Sequence, residues 1–479
     1  MNLFKKTKII CTIGPASDTK EKIKALFLSG MNICRLNFSH GDYVSHLAKI
    51  QTIRSIEREM NATIPIILDT KGPEIRLHNF KDEKQLFTKG KIFTIFPHEV
   101  LGDENGFSLN YDNFFNAIKV KQLIKVDDGK FVAKVLSKDE ATRTVKCKAL
   151  NTHTLSNHKG VNVVGGHFEM PFLSSKDVAD IEFGIANKLN YIAISFVRSK
   201  DDVLAIKKVL DDHNYKMMLI SKIESSESLH KIDEIIEVSD AIMVARGDLG
   251  VEIKAEEVPI IQVELINKCR QKGKPVIIAT QMLESMQFSP SPTRAEVNDV
   301  ALAIFQGADA VMLSAESASG LYPVESCSMQ ARIATTIEKQ LNYQKIIKDG
   351  LEQQSSKEED ALAYAACLAA LKSKAKLILV FDESGDVTRR LARTRPVAPV
   401  VLITTNRSLA YELLLFYGIK VWLINNVKST EDDGKFIILK QVAKKYQIKR
   451  KANIILVRSK HKTALELKEE SIRIVAINE

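Results

Sequence analysis

Eight short, β-rich apolar runs set the fold of this chain. They are KIICTI (8–13), NICRLNF (32–38), IPIILD (64–69), YIAISFV (191–197), MMLISKI (217–223), AIMVA (241–245), PVIIAT (275–280) and AVMLSA (310–315). All but the third lead at once into an amphipathic helical pattern. The last is followed by Pro323, suited to a first helical position, and by an apolar stripe at Met329, Ile333 and Ile337. Eight strand–helix units close most economically into a parallel (β/α)8 TIM barrel, an α/β architecture. An open doubly wound sheet would want a GxGxxG turn after an early strand, and there is none.

The third unit is interrupted. After Asp69 come strand-like pieces with glycine and polar turns, GKIFTIF, QLIKVDDGKFVAKVL and TVKCKAL. Helical character resumes at Ser174-Ser175-Lys176-Asp177, an N-cap region before Val178, Ile181 and Ile185. The pattern predicts a barrel over residues 1–72 and 171–345, with an inserted, β-rich, β-barrel-like domain over 73–170. Active sites of such barrels lie at the C-terminal ends of the strands, so an insertion there is placed to act as a lid. From 346 the segment IKDGLEQQSSKEED reads as a polar linker. It leads to a C-terminal α/β domain (346–479) with strand-like runs LILVF, VVLITT, KVWLIN, IILVR and IRIVAI, expected to form an open sheet.

Of 479 residues, 45% are hydrophobic and 27% charged, the balance of an ordinary globular chain. No apolar run reaches the ~18 residues that cross a bilayer, and the start MNLFKK lacks a signal-peptide core. Six scattered cysteines without a CxxC pair argue against disulfide scaffolds and zinc ribbons, and favour a reducing, cytoplasmic setting. The net charge of +10 raises a nucleic-acid reading. No RNP string, zinc finger or basic run with interleaved aromatics supports it. Residues 345–479 hold 25 Lys and Arg against 16 Asp and Glu, nine of the ten net charges. The charge therefore suggests a regulatory domain suited to small anions.

In a barrel, the residues at the C-terminal end of each apolar run and just past it converge on one face. Here they are Arg35, Asn37, Ser39 and His40 at the end of the second run, and Asp69, Thr70, Lys71, Glu74 and Arg76 at the end of the third. Lys222 and Glu224 end the fifth, Arg246, Gly247 and Asp248 the sixth, Thr280 and Gln281 the seventh, Ser314 and Glu316 the eighth. Glu224 and Asp248 end neighbouring strands and suit a hard cation such as magnesium; salt bridges to Lys222 and Arg246 are the alternative. Lys222 and Arg35 supply charge for a phosphate or a developing enolate. Gly247 either lets backbone approach a ligand or simply marks a turn. By residue type alone this is a magnesium-dependent barrel acting on a phosphorylated or enolisable oxyacid, as a kinase or a lyase.

The strings TKIICTIGPAS, MNICRLNFSHG, ILDTKGPEIR, HKGVN, ISKIES, MVARGDLGVE, ATQMLESM, PTRAEVNDVA and GADAVMLSAESASGLYPVE, in this order and spacing, resemble the pyruvate kinase family. The resemblance implies magnesium- and potassium-dependent transfer of the phosphoryl group of phosphoenolpyruvate to ADP, giving ATP and pyruvate. It implies Lys222 as the catalytic lysine and Arg35 as the holder of the phosphoryl group. Gly247, Asp248 and Thr280 would position the substrate, and Glu224 and Asp248 would ligate Mg2+ or Mn2+. Asn37, Ser39, Asp69 and the Thr70 carbonyl would form a K+ site, with Glu74 the residue that goes with potassium dependence. Asn37, His40, Arg76 and Lys159 would meet the nucleotide. Thr280 and Ser314 would belong to the water network that protonates the enolate. The family is usually homotetrameric.

Two departures concern the hinge and the third domain. Glu169 stands in the hinge where many members have Asp. In the third domain, where effector-controlled members carry a Ser/Thr-rich loop, this chain reads FDESGDVT (381–388). Its three carboxylates oppose a sugar bisphosphate. Arg389, Arg390, Arg393 and Arg395, directly after it, read either as an exposed helix face paired with those acids or as contacts for a different anionic effector.

Overall fold

The computed structural model describes residues 5–166, 168, 170–353, 358–425, 432–449, 451–462 and 467–476. Glu169 lies outside the described residues.

The eight runs become the strands Lys8–Thr12, Ile33–Asn37, Ile66–Asp69, Tyr191–Ile194, Met218–Ile223, Ala241–Ala245, Val276–Ala279 and Ala310–Leu313. Each pairs in parallel with the next in this order, and Lys8 opposite Ala310 closes the barrel. Alternation along a strand sorts the side chains. Ile9 and Cys11 pack outward with the helices, whereas Ile10 joins Ile33, Ile67, Met243 and Ile277 inside. Ser174 caps the helix Ser175–Ala186 in a reciprocal capping box with Asp177, which restarts the barrel after the insertion. Pro323 opens the helix Pro323–Glu338, where its missing N–H costs nothing.

The segment after Asp69 folds on its own aromatic core, including Phe80, Phe87, Phe93, Phe107 and Phe131. Phe87 and Phe107 meet edge to face at 5.8 Å. The β-barrel-like expectation needs correcting: the strands form a six-stranded sheet and a separate two-stranded ladder. Lys84–Phe87 pairs with His153–Ser156 instead of with the sheet, and a bulge between Val135 and Ser137 shifts the sheet's register.

The linker expectation also changes. Residues 343–353 form the helix Tyr343–Gln353, because Tyr343 and Ile347 recur at helical spacing and are buried. The remainder, 354–357, lies outside the described residues. Past it, five strands form the open sheet Ile419–Leu423, Val400–Thr404, Leu377–Phe381, Asn453–Lys462, Leu467–Ala476, antiparallel only at the last pair. All six cysteines are free and buried. Among the described residues no helix is long and apolar enough to cross a membrane.

The C-terminal domain is pinned to the end of the barrel where the strands begin. Arg395 donates to the carbonyls of Gly307 (2.7 Å) and Ala308 (2.9 Å), with its guanidinium 3.7 Å from the centre of the Tyr417 ring. Glu338 accepts from the Lys6 N–H (2.8 Å), the Thr7 N–H (2.6 Å) and the Thr7 hydroxyl (2.7 Å), while Lys6 Nζ reaches Tyr343 at 2.5 Å. These donors are buried, so removing the carboxylate leaves them without acceptors. Glu338→Ala is expected to destabilise the protein by about 2 kcal/mol or more, read as a lowered thermal midpoint with the rate per folded molecule retained.

Candidate active site

The strand register assembles the site. Cys34, Arg35, Leu36 and Asn37 lie opposite Ile66, Ile67, Leu68 and Asp69, so the second and third strands end together. Arg35 turns inward, where its Nε donates to Asp69 Oδ2 at 2.6 Å and its Nη1 to Thr12 Oγ1 at 2.9 Å. From the fifth strand, Lys222 places Nζ 3.1 Å from Asp69 Oδ1, 3.0 Å from Glu224 Oε1 and 2.8 Å from Ser195 Oγ. Asp69 is 1% exposed and holds both cations.

Electrostatics follows from burial and pairing. Burial alone would raise the Asp69 carboxyl, but Arg35 and Lys222 outweigh it and hold its pKa below the ordinary value. Burial would likewise lower the Lys222 ammonium, but Asp69 and Glu224 raise it above the usual lysine range. Lys222 is therefore a permanent charge, not a proton carrier, at neutral pH. Glu224 is pushed up to about 7 by burial and by the nearby Asp248, against the pull of Lys222. Burial raises Asp248 too. Two carboxylates with raised pKa values mark a place short of positive charge. Among the described residues Asp248 makes no hydrogen bond or ion pair, and no group of three or more His, Cys, Asp or Glu could hold a metal by itself. Two carboxylates that leave most coordination positions open fit a magnesium-like ion completed by water and substrate oxygens.

Of the alternative salt bridges, the one to Arg246 does not form. Arg246 forks onto Asp299 at 2.6 and 2.7 Å and donates to the Thr280 carbonyl at 2.8 Å. This clamp holds Thr280 at φ +66°, a strained conformation for a β-branched residue. The Gly247 N–H donates to Thr280 Oγ1 at 2.7 Å, so Gly247, Asp248 and Thr280 form one unit. Ser314 ends the eighth strand, its N–H donating to buried Glu316 at 2.8 Å.

On the other side, the Asn37 amide oxygen accepts from the Ser39 N–H at 3.1 Å, close to Asp69 and Thr70. Glu74 pairs with Arg76 at 2.5 Å, and Arg76 also donates to the His158 carbonyl at 2.7 Å. Lys159 pairs with Asp127 at 2.8 Å. An isolated bridge between Arg76 and Gly160 brings Arg76 and Lys159 side by side at the base of the inserted domain. His40 is exposed, its carbonyl accepting from His46 Nε2 at 3.0 Å.

Three polar groups escaped the sequence reading. Ser195 donates to the Thr70 carbonyl at 2.5 Å and accepts from Lys222; Thr12 fixes Arg35; the Phe196 N–H donates to Glu224 Oε2 at 2.7 Å. Ser195 and Thr12 end the fourth and first strands, so the strand-end rule would have found both.

The C-terminal arginines are not a free anion site. Arg389 pairs with Asp386 and Glu412, Arg390 with Glu470 and Arg393 with Asp360, while Arg395 holds the barrel carbonyls. The expected effector cluster is thus spent on acids and carbonyls drawn mostly from other elements. Asp382 caps its own loop, accepting from the N–H groups of Gly385 (2.8 Å) and Thr388 (2.9 Å).

A family model described as the pyruvate kinase barrel domain matches residues 4–327, and one described as the pyruvate kinase alpha/beta domain matches 360–474. The chain belongs to the pyruvate kinase family. It is 44% identical to the pyruvate kinase of Sporosarcina psychrophila over 87% of this chain and 71% of that protein. The identity to the pyruvate kinase of Bacillus licheniformis is also 44%, over 90% and 74%. A crystal structure of a pyruvate kinase from Cryptosporidium parvum superposes with a TM-score of 0.91 at 32% identity, covering 99% of this chain and 96% of that one.

Because Ser195 joins Lys222 to the Thr70 carbonyl, Ser195→Ala is expected to lower kcat about 10- to 100-fold. KM for the phosphorylated substrate should change far less, and a thermal midpoint near wild type would separate this from misfolding.

Proposed function

We propose that the protein transfers the phosphoryl group of phosphoenolpyruvate to ADP, giving ATP and pyruvate. The observation that carries the reading is the Lys222 ammonium, held within 3.1 Å of Asp69, Ser195 and Glu224 beside Asp248. In this reading residues 1–72 and 171–345 form the catalytic unit, 73–170 the lid and 346–479 the regulatory domain.

Arg35 and Lys222 hold the transferring group from two sides. As the bond between phosphorus and the enol oxygen breaks, negative charge collects on that oxygen, and Lys222 faces it already charged and fixed. Gly247, Asp248 and Thr280 hold the carboxylate end of the substrate. Arg76, Lys159, His40 and Asn37 receive the nucleotide; Arg76 and Lys159 exchange their pairs with Glu74 and Asp127 for phosphate oxygens. After transfer the enolate takes a proton at carbon, delivered through water ordered by Thr280 and Ser314.

Glu224 and Asp248 would hold Mg2+ or Mn2+, which neutralises phosphate charge when bound. Asn37, Ser39, Asp69 and the Thr70 carbonyl would hold K+, with Glu74 retaining the acid that goes with potassium dependence. We further propose a homotetramer in the cytoplasm; six buried thiols suit a reducing compartment.

A coupled assay tests the reading: ATP should form from phosphoenolpyruvate and ADP, faster in potassium than in sodium, and aldol cleavage without nucleotide would overturn it. Lys222→Met should cost about 10²- to 10³-fold or more in kcat, with phosphoenolpyruvate binding by equilibrium dialysis nearly unchanged.

A further inference from the structure

Gly247 and Asp248 lie in the first turn of the helix Arg246–Glu252, whose sequence RGDLGVE is poorly suited to hold a helix by itself. Gly247 and Gly250 are the weakest helix formers short of proline, and about two turns is far below the length at which a helix stands alone. Among the described residues no side chain caps its first turn. Apart from the burial of Leu249 and Val251, its conformation is therefore set by contacts at its two ends. At the first end, Arg246 is clamped by Asp299 and the Gly247 N–H is bonded to Thr280. At the other end the contacts come from the inserted domain.

Two strands of that domain, Leu123–Val126 and Val161–Val163, pair antiparallel with Asn162 opposite Lys125. Ile124, Val126, Val161 and Val163 are buried in the domain's own core, so alternation turns Lys125 and Asn162 together to the opposite face. Both reach the last turn of the helix. Asn162 Nδ2 donates to Glu252 Oε1 at 3.0 Å, and Lys125 Nζ donates to the Val251 carbonyl. That carbonyl is one of the last four of the helix, which lack partners within it, and a cation there suits the helix dipole. Burial raises the Glu252 carboxyl, while Asn162 and Lys125 pull it back. Beside them, the turn at Gly129 lies over the Val251 side chain.

The same strands lead to the cation assigned to the nucleotide. Lys159 precedes Asn162 by three residues, and its partner Asp127 follows Lys125 by two. A seven-residue helix is only about 10 Å long. A displacement of these strands when Lys159 exchanges Asp127 for phosphate is thus passed, through Glu252, to the turn that holds Gly247 and Asp248.

We propose that Asn162 and Glu252 are positioning residues for the reaction: their bond, with the Lys125–Val251 contact beside it, clasps the inserted domain to the helix and fixes Gly247 and Asp248 from behind. Both residues act through the helix and not on the substrates. The effect on rate rests on the phosphoryl-transfer reading; the effect on the helix does not.

Full-length wild type would be compared with Asn162→Ala, Glu252→Ala, the double variant and Glu252→Gln. Amide hydrogen exchange over residues 246–252 should be at least about fivefold faster in Asn162→Ala, although the substitution lies in the other domain. The kcat for ATP formation should fall about tenfold in each alanine variant, with thermal midpoints near wild type. The double variant should be within about twofold of the slower single one. Glu252→Gln keeps an oxygen for Asn162 to donate to and should stay within about threefold of wild type. If Glu252→Ala folds poorly, Lys125→Met removes the adjoining contact and should speed the same exchange. Unchanged exchange in Asn162→Ala, rate losses that multiply in the double variant, or Glu252→Gln as slow as Glu252→Ala would overturn the proposal. A wild type that forms no ATP would count against the phosphoryl-transfer reading, and hydrogen exchange would then decide this one alone.

Discussion

One buried carboxylate, Asp69, holds the chemistry of this molecule in place. Its two oxygens fix Arg35 from the second strand and Lys222 from the fifth, at 2.6 and 3.1 Å. Burying two cations would cost several kcal/mol each without a counter-charge, and a single acid cannot balance both. Glu224 supplies the second negative charge, which leaves it competing with Asp248 for the same ammonium. The result is a rigid lattice whose cations are balanced internally while its outer carboxylates call for a further cation. Such a lattice offers fixed charge to a reaction and needs no rearrangement when charge moves.

The barrel makes that lattice possible. Parallel register aligns Asn37 with Asp69 and Lys222 with Met243, so every strand ends at one level and delivers one or two polar residues there. Backbone strain also occurs at this rim. Thr280 and Phe196 both take positive φ, each held by a hydrogen bond or clamp that serves the site. The opposite rim is built for docking: Lys6 and Arg395 join the barrel to the C-terminal domain.

Much of this was legible in the sequence because it depends on period and position. The eight apolar runs fall within a few residues of the eight strands, and Ser174 and Pro323 mark helix starts where capping chemistry puts them. Lys222, Glu224 and Arg35 were visible as charges at the ends of apolar runs. What stayed hidden depends on pairing across the fold. Arg246 reads as a neighbour of Asp248, but its partner, Asp299, lies fifty-three residues away on a helix. Ser195 and Thr12 look like ordinary hydroxyls until the barrel closes. Arg389, Arg390 and Arg393 read as an anion site because Glu412, Glu470 and Asp360 are distant in sequence. Ile346–Gln353 reads as a linker because its polar residues hide the burial of Ile347.

If Asp69 and Lys222 act as one unit, a double-mutant cycle exposes it most directly. Initial rates of ATP formation would be compared for wild type, Asp69→Asn, Lys222→Met and the double variant. The account predicts strong coupling: the double variant should be no slower than the worse single one, a departure from additivity of at least about 1.4 kcal/mol, or tenfold. Rate losses that simply multiply would contradict it.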